Sequence, residues 1–278
     1  MKKLEAFGGK GKQLHFAHAN AYPVNTYRHF LDLFKDRFEV YGMHQRPCWP
    51  GSDENDFVKW EQLAADMIEV FEEHNMKSVI GMGHSMGGVA TLYAANKRPD
   101  LFSAIVLIDP VIMDKDMLKM LSQMPFEIQV ANNPMAQIAM KRRNTWETKE
   151  EALSYFESKR FFQAFTSEAK KHFIAHGLSS IDGHLTLSYP REWEARVYSM
   201  VPDVWEELAK IDCPALIVKA ENSDVIRTEK HWNMIKEVAR NANCVELPDS
   251  GHLIPQEKPK ELMQVITNFL ENVHDGRK

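Results

Sequence analysis

The chain has 278 residues, of which 44% are hydrophobic, so it is long enough for one large domain with a sizeable core. Its 39 acidic and 34 basic residues are mixed along the chain and give a formal net charge of −5, which argues against a nucleic-acid-binding protein. No apolar run approaches the roughly 20 residues that cross a bilayer, and residues 4–10 do not form a signal peptide, so we expect neither a membrane span nor export.

The cysteines indicate the cellular compartment. Cys48, Cys213 and Cys244 are too few and too scattered for a disulfide framework or a zinc cluster. We therefore expect a cytoplasmic protein without a metal or another cofactor. The composition is compatible with a homodimer.

Strands and helices alternate over the first 110 residues. Apolar residues recur at helical spacing between Asn25 and Phe34, and a second apolar stripe follows a loop in which Asp53 or Asn55 is placed to cap a helix. In chain order the pattern predicts strand Lys2–Phe7, strand Gln13–Ala17, helix Asn25–Phe34, strand Arg37–Tyr41, a helix over residues 57–71, strand Ser78–Gly83, helix Met86–Asn96 and strand Ala104–Ile108. Such alternation predicts a mostly parallel sheet with helices on both faces.

The alternation stops after Asp109 and Pro110. From residue 111 to 202 the sequence shows helical patterns rich in Met, Phe and Trp, with almost no buried-strand signal. The alternation then resumes with strand Pro214–Val218, helix Thr228–Ala239, strand Asn243–Leu247 and helix Lys260–Val273. We therefore predict an α/β core formed by residues 1–110 and 203–278, with residues 111–202 inserted as an all-helical unit.

A serine motif joins a predicted buried strand to a predicted helix. Residues 83–88, Gly-His-Ser-Met-Gly-Gly, match G-x-S-x-G in the strand-turn-helix context that gives the pattern meaning. A serine on so tight a turn needs strained backbone angles, and glycines two positions before and after it let strand and helix approach closely. Ser85 at the helix N-terminus is therefore the candidate nucleophile, because free N–H groups there stabilise an oxyanion. The alternatives are a glycine-rich packing turn and, less favoured because no lysine follows the glycines, a phosphate-binding loop.

The chain resembles α/β-hydrolases of the lid-bearing branch, which includes small esterases and carbon–carbon bond hydrolases. The resemblance covers nearly the whole chain and rests on His18–Pro23, the Ser85 turn, the strand ending near Asp224, and Gly251-His252. It implies an α/β-hydrolase fold in which residues 111–202 form a helical lid, inserted after the strand that ends at Asp109. These motifs are specific for the fold and for a catalytic triad, but not for a substrate.

The resemblance also implies the residues of a triad, whose chain order in this family is nucleophile, acid and base. His252, in the loop before the last helix, matches the base that would take the Ser85 proton. Asp224 matches the family's acid, and a buried carboxylate there would orient His252 and stabilise its imidazolium. Glu221 and Asp109 remain alternatives, since Glu221 is three residues away and some relatives take the acid from the strand before Asp109.

An oxyanion hole in this family uses two backbone N–H groups. One belongs to the residue after the nucleophile, which is Met86. The other comes from a loop after an early strand, where His18-Ala19-Asn20 resembles the family's His-Gly-X and makes Asn20 the candidate donor. Ala19 departs from the pattern, because glycine is common there, and it can keep the loop only if its φ angle is negative.

These residues predict a serine hydrolase that cleaves carboxylic esters of small to medium, largely apolar molecules through an acyl-enzyme on Ser85. The apolar preference rests on the Met and aromatic residues of the insertion, some of which should face Ser85. A carbon–carbon bond hydrolase would use the same triad and lid, and a ligand receptor of the same fold can retain it. Dehalogenases and epoxide hydrolases are disfavoured, since such relatives carry aspartate at the position of Ser85.

Overall fold

The computed structural model describes residues 3–274. Lys2, predicted to begin the first strand, and residues 275–278, assigned to the core, lie outside the described residues. The strands are β1 (Leu4–Gly9), β2 (Lys12–Ala17), β3 (Phe38–Met43), β4 (Val79–His84), β5 (Phe102–Ile108), β6 (Thr145–Trp146), β7 (Leu178–Ile181), β8 (His184–Leu187), β9 (Ala215–Asn222) and β10 (Ala242–Gly251).

The α-helices are α1 (Arg28–Leu31), α2 (Glu61–Glu73), α3 (Met86–Lys97), α4 (Lys115–Ser122), α5 (Phe126–Ala131), α6 (Pro134–Lys141), α7 (Lys149–Glu157), α8 (Arg160–Gln163), α9 (Ser167–His176), α10 (Arg191–Ser199), α11 (Trp205–Ala209), α12 (Glu229–Val238), α13 (Ile254–Glu257) and α14 (Pro259–His274). Short 3₁₀ turns flank α1, so the predicted helix Asn25–Phe34 forms as three consecutive short helical segments. Across residues 3–274, no helix has both the length and the apolar character that a membrane span requires.

Seven strands form the central sheet, in the order β1-β3-β2-β4-β5-β9-β10. β1 is antiparallel to β3, whereas all other neighbours in this sheet are parallel. The prediction of a mostly parallel sheet is therefore confirmed. Because parallel strands end at the same edge, the loops after β2, β4, β5, β9 and β10 converge there.

Helices cover both faces of this sheet, as predicted. Along β5, Ile105 and Leu107 pack into one apolar layer and Val106 and Ile108 into the other, following the two-residue period of a strand. The first layer includes residues of α2, α3 and α12, and the second includes residues of α1 and α14. Both faces of the middle strands are thus buried, which explains their continuous apolar runs.

The start of α2 differs from the prediction. The Asp53 carboxylate accepts a hydrogen bond from the Asn55 backbone N–H at 2.8 Å and so caps a short 3₁₀ turn over Glu54–Asp56. The long helix begins only at Glu61, without a side-chain cap. The prediction that Asp53 or Asn55 caps α2 is wrong, because the local turn uses the Asp53 side chain first.

The insertion between β5 and β9 is mostly helical, but it also contains a small sheet. Strands β6, β8 and β7 pair antiparallel in that order. The β7–β8 hairpin turns at Asp182 and Gly183, whose φ angles are +50° and +85°. Asp-Gly is a typical two-residue hairpin turn. The prediction of an all-helical insertion is therefore wrong at this hairpin.

The insertion packs partly on itself and partly on the core. Trp146 and Phe173 belong to an aromatic cluster formed within the insertion. Trp193 instead joins the core layer that contains α2 and α3. The Trp60 indole N–H donates to the Met200 carbonyl at 2.5 Å. The C-terminal part of the insertion is therefore anchored to the core.

Candidate active site

Ser85 occupies the sharp turn between β4 and α3. Its φ and ψ angles are +53° and −114°, a strained conformation for a residue with a side chain. Its backbone N–H donates to the Ile108 carbonyl at 2.9 Å, which ties the turn to the end of β5. The serine therefore stands at the edge of the sheet where the loops converge.

The glycines around Ser85 are required by close backbone contacts. A Cβ atom on Gly83 would lie 2.2 Å from the Gly87 carbonyl oxygen, and one on Gly87 would lie 2.1 Å from the Ala17 carbonyl oxygen. Real Cβ atoms do not approach other atoms so closely. The two outer glycines of G-x-S-x-G thus let β4 and α3 meet, as the motif predicts, and Gly87 also lets α3 approach β2.

His252 follows β10 and reaches back over the sheet edge. Its Nε2 atom lies 3.0 Å from Ser85 Oγ, and its Nδ1 atom lies 2.6 Å from Asp109 Oδ2. The Gly251 backbone N–H donates to the Glu257 carboxylate at 2.6 Å and so holds the loop. A hydroxyl, an imidazole and a carboxylate are therefore aligned, as nucleophilic catalysis requires.

The carboxylate of Asp109 is completely buried and fully hydrogen-bonded. One oxygen accepts from the Ala220 backbone N–H at 3.0 Å. The other accepts from the Ser223 hydroxyl at 2.8 Å and faces His252 Nδ1. These donors offset the desolvation of a buried charge and fix the orientation of the carboxylate.

Asp224 does not occupy the buried position that the sequence predicted. Its Oδ1 atom is 3.9 Å from His252 Nδ1, beyond hydrogen-bonding distance, and its side chain is 70% exposed. β9 runs on to Asn222 and pairs there with Gly251, which carries Asp224 past the sheet edge. The alternative Asp109 makes the hydrogen bond instead, while the Glu221 carboxylate accepts from the Asp249 backbone N–H.

The surrounding charges favour the protonated form of His252. Burial by itself lowers the pKa of this imidazole, since it penalises the cation. The hydrogen bond and the charge of Asp109 outweigh burial, with Asp224 and Glu257 adding to them, so that the pKa is raised above its ordinary value. The site therefore stabilises an imidazolium at His252.

The two predicted oxyanion donors are the backbone N–H groups of Met86, which directly follows Ser85, and of Asn20, in the loop after β2. Met86 begins α3, so its N–H has no acceptor within the helix. The Asn20 backbone N–H makes no hydrogen bond within the described residues. Ala19 is not among the described residues with a positive φ, and the left-handed conformation falls on Ala21, at +67°. Alanine thus fits where the pattern favours glycine.

The insertion holds the Asn20 side chain. The Tyr189 hydroxyl donates to Asn20 Oδ1 at 2.8 Å, and Asn20 Nδ2 donates to the Glu194 carbonyl at 3.1 Å. The Glu194 carboxylate in turn accepts from Arg142 at 2.6 Å. The loop that carries one oxyanion candidate is therefore positioned by residues far along the chain, which sequence patterns did not reveal.

A model of the alpha/beta hydrolase family matches residues 16–265, which is most of the chain and contains Ser85, Asp109 and His252. The chain belongs to the alpha/beta hydrolase family. Among curated relatives, the uncharacterized hydrolase YugF of Bacillus subtilis is 24% identical over 88% of this chain and 85% of its own. The esterase YbfF of Escherichia coli is 20% identical over 77% of this chain and 76% of its own.

Solved structures agree on the fold of this hydrolase. The crystal structure of E-2-(acetamidomethylene)succinate hydrolase superposes with a TM-score of 0.77 over 96% of this chain and 94% of that one, at 20% identity. A marine microorganism esterase gives a TM-score of 0.68 at 23% identity, covering 96% and 98% of the two chains. At such identities the likeness extends to the fold alone.

The candidate nucleophile is largely shielded from solvent. Ser85 is only 6% exposed. Some of the insertion methionines, from which the sequence predicted an apolar preference, do not face Ser85, since Met117, Met120 and Met135 are exposed to solvent. A cleft of about 420 Å³ opens between α6 and α10, but no triad or oxyanion candidate lines it.

Proposed function

We propose that this hydrolase is a serine esterase that cleaves carboxylic esters of small to medium, largely apolar molecules through an acyl-enzyme on Ser85. The observation that carries the proposal is the alignment of Ser85 Oγ, the His252 imidazole and the Asp109 carboxylate at 3.0 and 2.6 Å. We propose Asp109 as the acid of this triad, since its buried carboxylate accepts the Nδ1–H of His252.

In the proposed first step, Ser85 Oγ attacks the ester carbonyl carbon while His252 Nε2 takes the hydroxyl proton. Because Nδ1–H is held by Asp109, Nε2 is the unprotonated nitrogen and can accept that proton. The raised pKa of His252 favours the imidazolium that results. The same proton then passes to the departing alcohol, and the acyl group remains on Ser85.

The proposed oxyanion donors are the backbone N–H groups of Met86 and Asn20. The carbonyl oxygen becomes negative during attack, and fixed N–H donors stabilise it without reorganisation.

In the second step a water molecule loses a proton to His252 and attacks the acyl carbon. Collapse of that intermediate releases the carboxylic acid and restores Ser85.

We propose that residues 111–202 act as a lid over this site. The contacts of Tyr189 and Glu194 with Asn20 support this role, because they join the insertion to the oxyanion loop. The apolar acyl or alcohol group that we propose rests on the Met and aromatic content of the insertion. No nucleic-acid or membrane partner is part of the proposal.

We also propose a cytoplasmic location. Cys48, Cys213 and Cys244 are all unpaired, which supports a reducing compartment. Burial raises the pKa of the Cys48 thiol to about 12 and of the other two to about 11, so these thiols resist oxidation.

The test is covalent labelling with a fluorophosphonate probe, with Ser85→Ala as the matched control. We expect wild type to be labelled and the variant to remain unlabelled while both give the same circular dichroism spectrum. A series of p-nitrophenyl esters of increasing acyl length then tests the substrate class. A wild-type protein that is folded but unlabelled would exclude a serine nucleophile and favour a ligand receptor of the same fold. Labelling without hydrolysis of any ester would favour carbon–carbon bond cleavage.

A further inference from the structure

Two fully buried polar residues lie beneath the candidate site and belong neither to the triad nor to the oxyanion hole. The Tyr27 hydroxyl lies 2.8 Å from His84 Nδ1, and His84 Nε2 lies 2.8 Å from the carbonyl oxygen of His252. The Ala19 backbone N–H donates to the Tyr27 hydroxyl at 3.3 Å. Both side chains have no solvent exposure. A continuous hydrogen-bonded path thus joins residue 19 to residue 252.

The direction of every bond on this path is determined by its ends. The His252 carbonyl can only accept, so His84 Nε2 carries the proton and donates. His84 Nδ1 is then an acceptor, and Tyr27 donates its hydroxyl proton to it. The Tyr27 oxygen is left to accept from Ala19. Only the neutral Nε2–H tautomer of His84 satisfies all three bonds.

The two ends of the path are the two loops that must be placed against Ser85. The Ala19 end belongs to the loop that carries the Asn20 backbone N–H. The other end is the main chain of His252, whose side chain is the candidate base. We propose that Tyr27 and His84 are positioning residues, which hold the oxyanion loop and the His252 loop at a fixed distance across Ser85. This inference rests on the proposed serine esterase function.

The chemistry of His84 fits a positioning role better than packing alone. Its strand position places its side chain on the face opposite to that of Ser85, where an aliphatic residue would fill the space without burying polar atoms. Burial and the charge of His252 keep the pKa of His84 well below its ordinary value. The two rings are 5.1 Å apart, so a neutral His84 does not oppose formation of the His252 imidazolium.

Substitutions can break the path at each of its two side chains. Tyr27→Phe removes only the hydroxyl. His84→Gln keeps an amide that can donate to the His252 carbonyl, whereas His84→Leu removes both hydrogen bonds of His84. Tyr93→Phe is the matched control, because its hydroxyl also donates a hydrogen bond, in this case to the Asp203 carbonyl at 3.0 Å, but on the far part of α3.

The experiment measures the second-order rate of fluorophosphonate labelling, kcat and KM for an ester, and Tm for each variant. We expect Tyr27→Phe to lower the labelling rate and kcat by about tenfold to a hundredfold with little change in KM, since small displacements of reacting groups are costly. His84→Gln should retain more activity than His84→Leu. Tyr93→Phe should react at the wild-type rate. Wild-type rates in Tyr27→Phe and His84→Leu, with a lowered Tm alone, would overturn the positioning role.

A second readout does not depend on Ser85 reactivity. Nitrogen-15 spectra of the histidine side chains, assigned with His84→Gln, should show His84 as the Nε2–H tautomer without titration between pH 5 and 9. An Nδ1–H tautomer, or protonation in that range, would overturn the path itself. Folded wild type that shows the expected tautomer but is never labelled would overturn the proposed function and the catalytic role together. Labelled wild type with unaffected variants would overturn the positioning role alone.

Discussion

The carboxylate of Asp109 lies 2.6 Å from His252 Nδ1, although the two residues are 143 positions apart in the chain. They meet because β5 and β10 end at the same edge of the sheet. Asp109→Asn removes the charge while keeping the shape of the side chain. We expect a loss of about 10⁴-fold in kcat, as in the serine-protease triad. The measurement is kcat for an ester, alongside the fluorophosphonate labelling rate.

The control for this variant is Asp100→Asn, which removes an exposed carboxylate from the turn before β5. It should keep the wild-type kcat. A folded Asp109→Asn enzyme that retains a tenth or more of its activity would contradict the assignment of Asp109 as the acid.

Asp224 should tune His252 rather than orient it. Its charge helps to raise the pKa of His252, so Asp224→Asn should lower that pKa. Since the base must be neutral to accept the Ser85 proton, the acidic limb of the labelling rate should move to lower pH. Above this limb the rate should stay within about threefold of wild type, because the hydrogen bond from Asp109 remains. The measurement is the labelling rate between pH 5 and 9.

Asp212→Asn provides the comparison, because it removes the same charge at the opposite end of β9. It should leave the limb unmoved. If Asp224→Asn instead loses as much activity as Asp109→Asn, then Asp224 has the role that the sequence originally assigned to it.

The sequence predicts which strands precede the catalytic residues. It does not predict how far each of those strands extends. The position of Ser85 could be predicted because the spacing of Gly83 and Gly87 reflects a close contact between their own backbones, only four residues apart. Asp109 and Asp224 both follow core strands, and the choice between them depends on how far β9 extends beyond Ala220. That length is set by pairing with β10, which is a tertiary contact. The Asp182-Gly183 hairpin, by contrast, carried a local signal that the surrounding helical pattern obscured.

Two adjacent glycines should differ sharply in their tolerance of a methyl group. A Cβ on Gly87 would meet the Ala17 carbonyl oxygen at 2.1 Å, whereas one on Gly88 would lie 3.1 Å from the Pro110 side chain and 3.2 Å from the Gly83 carbonyl oxygen. We expect Gly87→Ala to lower the free energy of unfolding by about 3 kcal/mol or more, since backbone atoms cannot yield easily. Gly88→Ala should be nearly neutral, because better helix propensity of about 1 kcal/mol offsets the tight contact. Urea unfolding measures both, and equal costs would contradict the close approach.

Tyr189, in the insertion, should affect the reaction through Asn20. Tyr189→Phe removes the 2.8 Å bond to Asn20 Oδ1 and leaves that buried oxygen without this donor. We expect kcat to fall about tenfold, less than the 10²–10³ typical of losing an oxyanion donor, because the backbone N–H is displaced rather than removed. Tyr155→Phe, the same change elsewhere in the insertion, is the control. Equal kcat values in the two variants would show that the insertion does not hold the oxyanion loop.

The buried carboxyl of Glu194 should make stability depend on pH. Burial, only partly offset by the charge and the hydrogen bond of Arg142, raises the pKa of Glu194 to about 7. Between the unfolded value of about 4.3 and this one, the folded state binds more protons than the unfolded state. The free energy of unfolding therefore decreases as the pH rises through that window. Glu194→Gln abolishes this contribution, so its Tm should fall less than that of wild type between pH 5 and pH 8.

Glu192→Gln is the matched control, because Glu192 lies on the same helix with its side chain 43% exposed and should keep the wild-type slope. Arg142→Gln provides a second test of the direction in which Tm changes with pH. Loss of the cation raises the pKa of Glu194 further, and the fall in Tm towards pH 8 should become steeper. Parallel Tm curves for wild type and Glu194→Gln would mean that Glu194 titrates alike in the folded and unfolded chains, and that its carboxylate is not desolvated in the folded protein.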